Sequence, residues 1–262
     1  LGKVQLSEQE RLVAGLLRPA HLLDVVRHFT LFMAADGQTY KSVCRYQQYR
    51  AVNRAIHRLR TGATRQQDGE FDRRGGIVWH TQGSGKSLTM VFLMRKLRSD
   101  PQLRRFKVVV VTDRNDLEAQ LSATAALTGQ NVLRATSADD LKRHLRRQGP
   151  DIVFGMIQKQ RGGDATDEPA LTAQDLPAHA AREAAPQAYL PDVLNEDEHI
   201  LVMVDEAHRS QAGDLHAALQ LGLPNCARIG FTGTPIIMGD KKRTHEIFGE
   251  FIDKYTIREA EA

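Results

Sequence analysis

Ile200-Leu201-Val202-Met203-Val204 is apolar from end to end, and Val108-Val109-Val110-Val111 and Ile77-Val78-Trp79 repeat the pattern. A strand with one wet face alternates apolar and polar residues. An unbroken run instead marks a strand covered on both faces, as in a parallel sheet. Strands are expected at Gly76 to Trp79, Lys107 to Thr112, Asp151 to Ile157, Ile200 to Val204 and Arg228 to Thr232, with helical stretches between them. Strands alternating with helices imply an α/β fold, a parallel sheet with helices on both faces. In such a sheet ligands meet the carboxyl ends of the strands.

Three of these runs end in polar loops that carry chemistry. The first is His80-Thr81-Gln82-Gly83-Ser84-Gly85-Lys86-Ser87, followed at once by the apolar stretch from Leu88 to Met94. A glycine-rich octet between a strand and a helix is the setting of a phosphate loop. Gly83 and Gly85 permit the dihedrals that let Thr81, Ser84 and their neighbours wrap N–H groups around a polyanion. The following helix adds its positive end. Lys86 supplies a point charge for the β and γ phosphates, and the Ser87 hydroxyl is placed to ligate magnesium. The loop opens with His80 where the general pattern has glycine.

Asp205 and Glu206 follow the run from Ile200 to Val204. There Asp205 is suited to hold magnesium through water, and Glu206 to polarise an attacking water as general base. Thr232-Gly233-Thr234-Pro235 ends the last run, and the hydroxyls of Thr232 and Thr234 are suited to couple the acidic loop to the γ phosphate. A Gly-Pro turn alone would be unspecific; the order of all three segments is what gives it weight.

The chain has 262 residues with ordinary apolar and charged fractions, enough for one large core. Its two cysteines, Cys44 and Cys226, make no disulfide framework or metal pair. No apolar stretch reaches the length of a bilayer span and no leader-like start is visible, so the expectation is a cytoplasmic protein without membrane contact. A net charge of +4 is compatible with nucleic acid. Arginines gather at Arg98, Arg104 and Arg105 and between Arg134 and Arg147, and would give salt-dependent phosphate contacts if they lined one groove.

Together these segments resemble the first RecA-like domain of superfamily 2 helicases with an Asp-Glu-Ala-His box, and more narrowly the motor subunit of type I restriction endonucleases. Trp79 to Ser87 is similar to that family's phosphate loop, histidine included. Val109 to Leu117 with Gln120 is similar to its motif Ia, and Val204 to Ser210 to its motif II. The resemblance implies a catalytic set of Lys86, Asp205, Glu206 and His208. It also implies that Gln48, or failing that Gln47, reads the adenine of ATP. DNA contacts fall on Arg114, Gln158 and Lys159, although Met156 stands where the family has a threonine that touches DNA phosphate.

On this basis residues 1–40 are expected to form a helical linker after an absent nuclease domain, with an apolar stripe of Leu16, Leu17, Leu22, Leu23, Val25, Val26, Phe29 and Phe32 around Pro19. Residues 41–250 form the RecA-like domain, beginning with a helix at 41 to 60 and carrying a surface insertion at 161–199. Residues 251–262 begin the connection to a second motor domain. The implied function is ATP- and magnesium-dependent translocation of double-stranded DNA, alongside methyltransferase and specificity subunits. Another superfamily 2 helicase, or a nucleotide-binding module without turnover, would share the same motifs.

Overall fold

The computed structural model describes residues 7–35, 38–112, 125, 132–156, 193–205, 219–233 and 247–256. The chain starts with helices α1 (Glu8–Leu16) and α2 (Pro19–His28), then a hairpin of β1 (Thr30–Ala35) and β2 (Gln38–Val43). Helix α3 (Tyr46–Thr61) and the short α4 (Arg65–Asp68) lead to β3 (Gly76–His80), α5 (Lys86–Ser99) and β4 (Lys107–Thr112). After these come β5 (Val132–Arg134), α6 (Ala138–Arg146), β6 (Ile152–Met156), β7 (Ile200–Asp205), β8 (Ala227–Thr232) and β9 (Phe251–Tyr255).

Among the described residues seven strands make one sheet, in the order β5-β6-β4-β7-β8-β3-β9, and every pairing is parallel. The unbroken apolar runs account for this. In β4, Val108 and Val110 face one core with Val78, Met203 and Phe231, while Val109 and Val111 face a second core with Ile77, Val202 and Val204. Successive side chains of a strand point to opposite faces, so a sheet covered twice must be apolar at every position. Helices α3 and α5 cover the first face, and α6 with Leu219 and Leu223 covers the second. Burying each large side chain contributes about 1.5–3 kcal/mol.

The five expected strands are present within a residue or two of their expected ends, and the parallel α/β sheet is as anticipated. The beginning of the chain differs. Residues 30–35 and 38–43 are paired antiparallel strands rather than helix, with Thr30 level with Val43 and Ala35 with Gln38. Asp36-Gly37, a dipeptide that favours two-residue hairpin connections, separates the strands in sequence. Helix α3 therefore starts at Tyr46 and not at 41. The apolar stripe is also not a core: Leu17, Leu23, Val26 and Phe32 are exposed, and only Val25 and Phe29 of the set are buried. Phe29 packs on Tyr49 and Phe92 at ring distances of 4.9 and 5.6 Å, and Lys96 of α5 holds Asp24 of α2 at 2.6 Å.

Two further boundaries move. Phe251–Tyr255 pairs with β3 as the edge strand of the sheet, so these residues belong to the domain rather than to a connection. Most of the expected insertion at 161–199 lies outside the described residues, but its end is packed. Leu194 and Asn195 are buried, and Asn195 Nδ2 donates to Leu145 O at 2.9 Å. Arg98, taken as a candidate groove arginine, turns inward and donates to the carbonyls of Arg104, Phe106 and Pro150. Burial pushes its pKa down to about 10. Cys226 is buried and Cys44 half-buried, both as free thiols. Among the described residues no helix is long and apolar enough to cross a membrane.

Candidate nucleotide site

Strand β3 ends at His80 and helix α5 begins at Lys86, so the glycine-rich residues form the strand-to-helix loop. Gly85 caps α5 at φ 84°, in the left-handed region, and a Cβ there would lie 2.5 Å from Nε2 of Gln48. A side chain is excluded twice over, by strain and by space. Gly83 has φ 78°, and Ser84 N donates to Thr81 O at 3.2 Å, which curls the loop before the helix. Ser84 is 3% exposed, yet its Oγ has no hydrogen-bond partner. An unpaired buried hydroxyl costs about 1–3 kcal/mol. A phosphate oxygen at the loop would satisfy it, beside the positive end of α5.

The third motif touches this loop directly. A Cβ on Gly233 would lie 2.7 Å from Nζ of Lys86 and 3.4 Å from N of Gln82. The absent side chain at Gly233 is thus the space that the Lys86 ammonium occupies. Strand register brings in the second motif. Trp79 is level with Thr232, and Phe231 with Asp205. With β8 between β3 and β7, Asp205 stands two strands from the phosphate loop, roughly 10 Å by ordinary interstrand spacing, at the same edge of the sheet. Asp205 is 6% exposed and Thr232 fully buried. Ser87 follows Lys86 in the first turn of α5 and is half-buried.

Glu206, His208, Thr234, Arg114, Gln158 and Lys159 lie outside the described residues. Gln48, expected to read a base, is 2% exposed, and its amide is engaged at both ends. Its Oε1 accepts from Arg45 N at 2.7 Å, and its Nε2 donates to Gly85 O at 2.9 Å. What this geometry supplies is a strut from α3 to the phosphate loop. Gln47, the fallback, is equally buried.

Several residues that touch the loop were not singled out by the sequence as residues of the site. Arg45 Nη1 donates to Gly83 O at 3.3 Å. Tyr255 O accepts from Thr81 N at 3.1 Å. Asp253, buried in β9, accepts from His80 Nε2 at 2.8 Å, Arg50 Nε at 2.8 Å and Arg54 Nη1 at 2.6 Å. Burial pushes the Asp253 carboxyl up, but the hydrogen bonds from His80 and Arg50 and the charge of Arg50 outweigh it and hold the group below the usual carboxylate range. A charged residue inside a strand was the available signal, since a buried carboxylate needs partners.

Among the described residues no three His, Cys, Asp or Glu side chains cluster as a metal cage. A metal here would share its coordination with phosphate and water, which is how magnesium binds. The sequence model of the SWI2/SNF2 ATPase family matches residues 47–262. The chain belongs to the SWI2/SNF2 ATPase family. That membership fits the phosphate-loop geometry and implies nucleotide use. Curated relatives of this SWI2/SNF2 ATPase chain are type I restriction enzyme subunits. The HindI endonuclease subunit of Haemophilus influenzae is 37% identical over 267 residues, 97% of this chain and 23% of the relative. The putative MjaIXP endonuclease subunit of Methanocaldococcus jannaschii is 31% identical over 249 residues, 95% of this chain and 21% of the relative. The chain spans about a quarter of the length of the curated relatives it matches.

Solved structures agree on the fold. The UvsW helicase from bacteriophage T4 superposes with a TM-score of 0.52 at 14% identity, over 89% of this chain and 66% of that one. A nuclease-deletion mutant of the Type ISP restriction-modification enzyme LlaGI, solved with a DNA substrate mimic, gives 0.50 at 17% identity, over 82% of this chain and 20% of that one.

Proposed function

We propose that this chain is the ATP-binding first motor domain of a type I restriction endonuclease subunit, and that ATP hydrolysis there drives translocation of double-stranded DNA. The observation that carries the proposal is the meeting, at one sheet edge, of Lys86 Nζ, the backbone of Gly233 and the unpartnered Ser84 Oγ. The identity of the relatives as restriction endonuclease subunits supports the narrower assignment.

Each residue then has a definable task. Ser84 Oγ and the backbone from Thr81 to Lys86 bind the phosphates, and the Lys86 ammonium balances their charge. Ser87 and Asp205 are the residues that would hold magnesium, which when bound neutralises charge on the phosphate oxygens. Glu206 orients the attacking water and takes its proton, and His208 completes that loop. Thr232 and Thr234 couple the acidic loop to the phosphates. Arg114, Gln158 and Lys159 contact DNA phosphates. A second motor domain donating arginines across the cleft, and methyltransferase and specificity subunits, complete the working assembly.

The test is nucleotide binding by the chain, followed by turnover in the full-length parent. Mg-ATP should raise the melting temperature of the chain, while hydrolysis by the chain alone stays near background. Glu206→Gln in the full-length protein should keep ATP binding and stop DNA-stimulated turnover. Turnover that survives this change removes Glu206 from the role of base.

A further inference from the structure

His80 is fully buried where phosphate loops of the general pattern carry no side chain. Its Nε2 donates to Asp253, and its Nδ1 is buried without a partner. Asp253 reaches it because of an irregularity in the β3–β9 pairing: Ile77 is level with Phe251, but Val78 is level with Asp253, which leaves Ile252 as an extra residue. Such an insertion turns the following side chain to the opposite face of the sheet from where regular pairing would put it. In regular register Asp253 would point away from the histidine.

The carboxylate so placed collects four N–H donors. These are His80 Nε2, Arg50 Nε, Arg50 Nη2 at 3.1 Å and Arg54 Nη1. Arg50 also donates to Lys254 O at 2.6 Å. Both arginines belong to α3, the helix whose start holds the far end of the loop through Arg45 to Gly83 O and Gln48 to Gly85 O. The phosphate loop, β9 and α3 therefore close a ring of hydrogen bonds, completed by Thr81 N to Tyr255 O. Apolar residues of similar volume would pack a buried strand at least as favourably as this ion cluster. What the cluster adds is directional placement of the loop's first residue.

Resting on the nucleotide-site assignment above, we propose that His80, Asp253, Arg50 and Arg54 act as positioning residues: they hold the opening of the phosphate loop in its phosphate-accepting shape and make ATP affinity depend on the seating of β9 against β3. None of them touches the reacting atoms.

The experiment compares wild type, His80→Gln, His80→Leu, Asp253→Asn and the double variant His80→Leu/Asp253→Leu, with Lys86→Ala as control. Melting temperature without nucleotide and the Kd for Mg-ATP are measured on each. His80→Leu and Asp253→Asn each weaken ATP about tenfold, the effect of losing one charge-assisted hydrogen bond. His80→Gln keeps an N–H donor and restores affinity to within about threefold of wild type. The double variant, with the buried His80–Asp253 pair replaced by apolar groups and Arg50 and Arg54 left to turn to solvent, recovers the melting temperature but not the affinity. If the single variants fail to fold, the glutamine and double variants decide. Wild-type affinity in the folded variants, or affinity and melting temperature recovering together in the double variant, overturns the proposal and leaves a packing role. Equal absence of ATP binding in wild type and Lys86→Ala overturns the nucleotide site itself, and the positioning role with it.

Discussion

The two ends of the central sheet differ in what their loops leave open. At the amino ends of the strands, cations are committed to carbonyls and carboxylates. Arg74 is 3% exposed, pairs with Asp72 at 2.6 Å, and donates to the carbonyls of Glu198 and Asn225 at 2.8 and 3.0 Å. Lys107 donates to His144 O and pairs with Asp151, and Arg98 closes the turns before β4 and β6. At the carboxyl ends, Ser84 Oγ is left without a partner, two glycines hold the backbone open, and Lys86 rests where Gly233 has no side chain. Cations spent on loop carbonyls fix the fold, whereas a hydroxyl such as that of Ser84, held back in a rigid loop, is available to a ligand.

Arg74→Ala has the largest expected effect. Breaking a buried pair and stranding two carbonyls should lower stability by about 3–5 kcal/mol, read by chemical denaturation, while folded protein keeps its ATP affinity. A loss no greater than a surface substitution, about 0.5 kcal/mol, would break the contrast between the two ends. Next comes Lys86→Ala, which should weaken Mg-ATP by about a hundredfold, equivalent to about 2.7 kcal/mol, and abolish the thermal shift with stability otherwise kept. An unchanged shift removes Lys86 from the site.

Ser84→Ala sharpens the comparison most. Removing an unpaired buried hydroxyl should raise nucleotide-free stability by about 1 kcal/mol while lowering ATP affinity about tenfold. Both movements are seen in one thermal-shift titration, and a destabilised variant would show that the hydroxyl already has a partner. The smallest effect is assigned to Arg105→Ala, on the exposed turn before β4. Stability should change by less than about 0.5 kcal/mol, and the salt dependence of DNA binding by the full-length parent should stay the same. A flatter dependence would return the amino-terminal arginines to the DNA surface.

How much was legible in the sequence varied with how each residue is buried. β4 and β7 announce themselves because each position faces one of two apolar cores. β9 hides because Phe251-Ile252-Asp253-Lys254-Tyr255 carries two charges in five residues. Its aspartate becomes tolerable inside the sheet only once α3 brings Arg50 and Arg54 alongside. The Leu16 to Phe32 stripe misleads in the other direction, since apolar spacing specifies a face without specifying what covers it, and most of that face is exposed. Gln48 lies against the glycine-rich loop, and its spacing in sequence held no information about which group its amide would bond.

By itself the sequence determined the parallel sheet and the position of the glycine-rich loop at its carboxyl edge, because both are local: unbroken apolar runs dictate burial on two faces, and a glycine-rich octet between an apolar run and a helix dictates a strand-to-helix loop. Only the tertiary structure decided that β9 is the edge strand, that Gly233 makes room for Lys86, and that His80 is tied to Asp253. Those depend on which strands become neighbours and on one extra residue in a register, and a one-residue shift reverses the face of each side chain that follows.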